Sequence, residues 1–312
     1  MKVSDMGFTY RIYSNPRFFQ HEMGLSHPES PKRLESLKAL FESTPYYAQA
    51  CLDVTRMAER EDILRAHKAS YLDILEESVP DEDYTMLDGD TSMNPASLDA
   101  AKLAAGAALQ GVDDLLAGRA NHVFIASRPP GHHAEPHKAM GFCFLNTVFI
   151  AASYARANGA QRVALLDFDV HHGNGTDAMM RDKDSDGLFF ISTHEWPLYP
   201  GTGGPDTSVA GKILNIPLPN RSGSTEMRDI YKYAVFPALK DFNPDLVVVS
   251  AGFDAHAADP LASLRWTNDD YAYLGKQLHA YKTLACLEGG YDTDALAEAA
   301  DAFLRPLFGI ST

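Results

Sequence analysis

The stretch Val163-Ala164-Leu165-Leu166-Asp167-Phe168-Asp169-Val170-His171-His172-Gly173-Asn174-Gly175-Thr176 decides the fold. It opens as a near-continuous apolar run, the pattern of a strand buried on both faces of a parallel sheet. It then turns polar and closes on Gly-x-Gly, which cannot prolong a strand. On extended backbone Asp169 and His171 project to the same side, and Asp167 shares it. Such groups on one strand face would be costly to bury without a cation between them. Mixed carboxylate and imidazole donors suit zinc, iron or cobalt and suit calcium or magnesium poorly.

Outward from this strand, apolar runs alternate with amphipathic segments. The pattern predicts strands at Phe8–Tyr13, His122–Ala126, Leu188–Ser192, Asp245–Ser250 and Leu284–Leu287. Helices are predicted from Ser30-Pro31, where a capping hydroxyl precedes a first-turn proline, and over Glu61–Leu75, Ser97–Leu116, Asn146–Ala157, Met227–Asp241, Asp269–Tyr281 and Asp294–Phe303. Arg33 falls in the first turn of its helix, where the helix dipole disfavours a cation, so a specific partner is expected for it. No repeat or linker divides the chain. The expectation is one domain over residues 1–312, an open parallel sheet flanked by helices.

The 312 residues are 45% hydrophobic and 22% charged, ordinary for a soluble globular protein. A formal net charge of -15 disfavours nucleic acid or an anionic membrane as partner and is compatible with cationic ligands. No apolar run approaches a membrane span, and Met1-Lys2-Val3-Ser4-Asp5 lacks the apolar core of a signal peptide. Cys51, Cys143 and Cys286 are too few and too scattered for a disulfide frame or a thiolate metal site. A reducing, cytoplasmic location is the expectation.

The strands end in clusters of glycine with reactive side chains: His132-His133, Asp169-His171, Ser192, Asp254 and Tyr291. Ligand sites of open parallel sheets lie beyond the carboxyl ends of the strands, so these clusters are expected to meet. Asp169, His171 and Asp254 would give a metal three protein ligands and leave a position for water or substrate. His132 and His133, after Pro129-Pro130-Gly131, are acid–base candidates, with Asp167 and Asn174 to fix their tautomers. Tyr291, after two glycines, is placed to donate a hydrogen bond to an oxyanion.

Arg-Pro-Pro-Gly-His-His (128–133), Gly-Phe-Cys-Phe-Leu-Asn (141–146), Asp-Phe-Asp-Val-His-His-Gly-Asn-Gly (167–175), Ser-Ala-Gly-Phe-Asp-Ala (250–255) and Leu-Glu-Gly-Gly-Tyr (287–291) occur in that order. With these motifs the chain resembles the zinc-dependent histone deacetylase-like amidohydrolases, which include the acetylpolyamine amidohydrolases. Asn174 and Gly-Phe-Asp resemble the class II branch and its bacterial relatives. The resemblance implies the arginase/deacetylase-like fold and one zinc per chain on Asp169, His171 and Asp254. It implies His133 as general base and acid, with Asn174 behind it, and His132 paired with Asp167. Tyr291 would polarise the acyl carbonyl. Gly141, Phe142 and Tyr199 would wall the tunnel for the acyl-lysine chain, with tyrosine where many relatives have phenylalanine. Arg33 would sit in an inner pocket through which acetate leaves. Backbone carbonyls around Asp167, Asp169 and His171, with Ser192, would hold a potassium ion.

The implied partners are an acetylated lysine peptide or protein, or an acetylated polyamine. Some polyamine-selective relatives carry glutamate at the rim position that aligns with Leu261, so leucine leans toward acyl-lysine. Two other classes compete. An arginase-like binuclear hydrolase would need a second carboxylate beside Asp254, where Phe253 stands. A non-catalytic binding protein would have no use for His132, His133 and Tyr291 together.

Overall fold

The computed structural model describes residues 10–310 apart from Asp184. Its strands are β1 (Tyr10–Ser14), β2 (Cys51–Asp53), β3 (Thr85–Met86), β4 (Ser92–Met93), β5 (His122–Ile125), β6 (Val163–Asp167), β7 (Leu188–Glu195), β8 (Ile213–Leu218), β9 (Leu246–Ala251) and β10 (Thr283–Leu287). Eight of them form one sheet in the order β2-β1-β5-β10-β9-β6-β7-β8, and every pairing in it is parallel. The short β3 and β4 pair antiparallel on their own. Phe8 and Thr9, expected to open the first strand, lie outside the described residues, as does Asp184.

β5, β6, β7, β9 and β10 are buried at every residue, as a sheet covered on both faces requires. Helices Ser97–Leu116 and Thr147–Ala157 pack together on one layer. Lys32–Ser43, Asn268–Leu278 and Thr293–Leu307 pack together in another, and Phe303 of the last meets Phe168 at 5.3 Å between ring centres. The sheet and both layers share one core. Among the described residues no helix is long and apolar enough to cross a membrane.

Three expectations are corrected. The central strand ends at Asp167, so Asp169 and His171 stand on the turn beyond it and not, as expected, on extended backbone. The helix after Ser30 is capped at Pro31 with no side-chain cap, since Ser30 contributes only its carbonyl to Arg33 N–H at 3.1 Å. The helix expected over Glu61–Leu75 is two helices, Arg60–Ile63 and Ala69–Glu77. The break between them buries His67, whose Nδ1 meets the Glu135 carbonyl at 3.0 Å while Nε2 accepts Asn146 N–H at 2.9 Å.

Candidate active site

Four adjacent strands feed the site. His132 and His133 follow β5, Tyr291 follows β10, Asp254 follows β9, and Asp169 and His171 follow β6. Residues more than a hundred positions apart are therefore neighbours because their strands are neighbours.

Asp169, His171 and Asp254 are buried, and their ligand atoms lie within 4.8 Å of one another. His171 Nδ1 stands 3.1 Å from Asp169 Oδ1 and 3.1 Å from Asp254 Oδ2. Backbone amides hold the carboxylates: His171 N–H donates to Asp169 Oδ1 at 2.9 Å, Gly289 N–H to Asp169 Oδ2 at 2.8 Å and Val170 N–H to Asp254 Oδ1 at 2.9 Å. A Cβ on Gly252 would overlap Asp169, and one on Gly289 would overlap Asp254, so these glycines leave room for the acids. Burial pushes the Asp254 carboxyl up to about 7, with Asp169 adding to the shift. Burial pulls against a charged His171, but its hydrogen bonds to Asp169 and Asp254 prevail and push it up to about 10. Two acids compete for one imidazole proton here, and a divalent cation in that proton's place would satisfy all three. The donor set fits zinc, with iron as a chemically similar occupant.

The two adjacent histidines are pushed in opposite directions. Burial disfavours a charged His132, yet Asp169 and Asp167 together hold it well above its usual range. Its Nδ1 lies 3.0 Å from Asp167 Oδ2. Burial, then the nearby His132 and His171, hold His133 well below its usual range. The amide of Asn174 fixes the His133 tautomer. Its nitrogen donates to Glu135 Oε1 at 2.9 Å, so its oxygen faces His133 Nδ1 at 2.7 Å. His133 Nδ1 therefore carries the hydrogen, and Nε2 is left with a lone pair.

Tyr291 is half-buried, with its N–H held by Asp259 Oδ2 at 2.7 Å. Burial keeps its phenol well above its usual range despite the opposing pull of Arg33, so the hydroxyl is a donor at neutral pH. Phe142 sits edge-on to His27 at 4.7 Å and to Tyr291 at 5.9 Å. Tyr199 sits edge-on to His133 at 5.2 Å and to His171 at 6.3 Å, and remains 38% exposed, which leaves it reachable from outside. Gly141 has φ +56, and a Cβ there would overlap the His133 ring. Leu261 is half-buried in the turn anchored by Asp259, whose Oδ1 accepts Leu261 N–H at 2.9 Å.

Arg33 does not line an open inner pocket. Its guanidinium is fully enclosed behind Tyr291, 5.0 Å from that ring, with Nε donating to the Gly290 carbonyl at 2.6 Å. Ser192 is buried beside Asp167, its register partner on β6. Its hydroxyl lies 2.9 Å from His194 Nδ1, and His194 Nε2 lies 2.8 Å from the Gly203 carbonyl. Burial pulls His194 down to about 3, so the neutral ring donates at Nε2 and accepts from Ser192. The Ser192 oxygen thus keeps lone pairs for a cation.

Five contributors lacked an assigned role in the sequence reading. Glu288 accepts Gly131 N–H at 2.6 Å and His132 N–H at 3.1 Å. Glu29, fully buried, joins Arg33 to Arg128. Glu135 orients Asn174. Asp90 accepts Gly141 N–H at 3.2 Å, and the adjacent Thr91 hydroxyl accepts Phe142 N–H at 3.0 Å. Glu288 stood inside a quoted motif, but a carboxylate that holds backbone leaves no spacing signal.

The chain is similar to known proteins over most of its length. The family model for the histone deacetylase domain matches residues 27–307. An uncharacterized protein of Synechocystis is 40% identical over 305 residues, covering 95% of this chain and 98% of its own. The chloroplastic histone deacetylase 14 of Arabidopsis thaliana is 37% identical, with 91% and 73% covered, and the histone deacetylase-like amidohydrolase of Pseudomonas aeruginosa is 36% identical, with 91% and 77% covered. The crystal structure of the HDA15 HD domain superposes with a TM-score of 0.91 at 32% identity, covering 97% of this chain and 89% of that one. The chain belongs to the histone deacetylase family, and with it to the deacetylase class of hydrolases.

Proposed function

We propose that this protein is a zinc-dependent deacetylase that hydrolyses the acetyl amide of lysine side chains. The observation that carries the reading is the opposite setting of His132 and His133 beside the Asp169–His171–Asp254 cluster. Paired titratable groups pushed apart in this way mark acid and base assignments.

Zinc on the three ligands would supply Lewis acidity and a water whose pKa is lowered to about 7. The chain's own groups do the rest. His133 takes the water proton at Nε2, the nitrogen that Asn174 leaves free. Tyr291 donates its phenolic hydrogen to the acyl oxygen as charge builds there. His132, with its Nδ1 3.0 Å from Asp167 Oδ2, steadies the same region. His133 then returns its proton to the departing amine nitrogen. Phe142 and Tyr199 flank the straight alkyl chain and exclude water from it. Ser192, with backbone carbonyls near Asp167, would hold a structural potassium ion beneath the site.

Phe253 packs on Phe168 at 6.0 Å and on Phe303 at 6.1 Å. Core side chains thus occupy the place from which a second carboxylate ligand would come, which favours the mononuclear reading over a binuclear one. Acetylated polyamines are the competing substrate class, and Leu261 at the rim supplies no carboxylate to hold their distal amine. The test compares kcat/KM for acetyl-lysine peptides with acetylputrescine and acetylspermidine. Preference for the peptides supports the proposal, and preference for the polyamines contradicts it.

A further inference from the structure

We infer that the inner end of the tunnel is closed by Arg33 and Glu288, and that this plug restricts the enzyme to short acyl groups, with Glu288 a specificity-determining residue. The inference rests on the deacetylase reading above.

With a lysine side chain in the tunnel and the carbonyl at Tyr291, the acyl chain points inward. Behind Tyr291 it meets the Arg33 guanidinium, which bonds to the Gly290 and Glu288 carbonyls and, through Nη1, to Glu29 Oε1 at 3.1 Å. Under the histidine pair lies the Glu288 carboxylate, anchored through Oε2 to the amides of Gly131 and His132. Its Oε1 has no partner and no accessible surface. Arg33 and Glu29 are 0% exposed and Glu288 is 1% exposed. A void that admitted even one water would give these side chains surface. The space beyond the acetyl methyl is therefore filled with hydrogen-bonded charges rather than with apolar wall. A longer acyl chain would have to part the Arg33 contacts and desolvate nothing but charged atoms in return.

Glu288 is the removable part of the plug. Arg33 is tied to three separate groups, whereas one oxygen of Glu288 holds nothing. Glu288→Ala vacates the volume under His132 and leaves the Arg33 contacts intact, since Arg33 uses the Glu288 backbone carbonyl.

The experiment measures kcat/KM on one lysine peptide carrying acetyl, butyryl or octanoyl groups, for the wild-type chain and for Glu288→Ala. The wild-type value is expected to fall by roughly tenfold or more from acetyl to butyryl. In Glu288→Ala the butyryl-to-acetyl ratio is expected to rise by about tenfold. The ratio is unaffected by how much of the variant folds. Octanoyl cleavage as fast as acetyl cleavage by the wild-type chain overturns the plug. An unchanged ratio in Glu288→Ala overturns the assignment to Glu288. Failure to cleave any of the three contradicts the deacetylase reading itself, and the inference falls with it.

Discussion

The Oδ1 of Asn174 lies 2.7 Å from Nδ1 of His133, and the Asn174 amide can face only that way because its nitrogen is spent on Glu135. A neutral amide fixes the tautomer of the base without adding negative charge to it. Asn174→Asp would stabilise the imidazolium of His133 and raise its pKa. More of the base would then be protonated at any given acidic pH. The acidic limb of the kcat/KM profile should move to higher pH in this variant. Asn174→Leu should lower turnover by roughly 10- to 100-fold by releasing the ring. An acidic limb that stays in place in Asn174→Asp would separate His133 from the proton transfer.

Tyr291 should affect turnover and not metal. Its hydroxyl makes no hydrogen bond to any of the three ligand side chains, and its backbone is held independently by Asp259. Tyr291→Phe should lower kcat by about 100- to 1000-fold, as loss of one oxyanion donor does. Metal content measured by emission spectroscopy should match the wild type. Near-normal turnover would remove the role.

Gly141 carries two constraints at once, a positive φ and a ring in the space of any Cβ. Gly141→Ala should lose about 1 kcal/mol or more of stability from backbone strain. It should lose turnover by a larger factor, because the methyl displaces the base. A thermal melt and a rate taken together would show this, and a variant with a lowered melting temperature but an intact rate would refute the second half.

The fold should weaken in acid through His67. Burial pulls its pKa down to about 3, and its two nitrogens are committed to a donor and an acceptor role that only the neutral ring can play. The folded pKa is depressed below the unfolded value of about 6.5. Stability from this residue is therefore complete above that value and is lost as pH falls toward 3, at up to about 1.4 kcal/mol per pH unit. His67→Phe should be less stable at pH 7 and should show a shallower decline in melting temperature through this range. A slope equal to the wild type would contradict the account.

The sequence was most legible where burial is complete. β6, β9 and β10 read as strands because both faces are apolar, and the helix Ser97–Leu116 lies where its pattern put it. The edges were not legible. β2 is exposed at all three residues, and Asn215 and Pro217 interrupt the apolar residues of β8, so neither gives a continuous apolar run. Likewise the helix break at His67 depends on Glu135 and Asn146, which are distant in sequence. In the site, residues that present a side chain to substrate announced themselves beside glycines. Glu29, Glu135 and Glu288 act on other protein groups, and their partners are visible only once the strands are side by side.

The central claim is that one metal on Asp169, His171 and Asp254 serves hydrolysis of an acetyl amide. The most direct measurement follows acetate release from an acetyl-lysine peptide while chelator-stripped protein is titrated with zinc. The account predicts no release from the stripped protein, recovery that saturates near one equivalent of zinc, and no recovery in Asp254→Ala. Undiminished release from protein shown to contain no metal would contradict it.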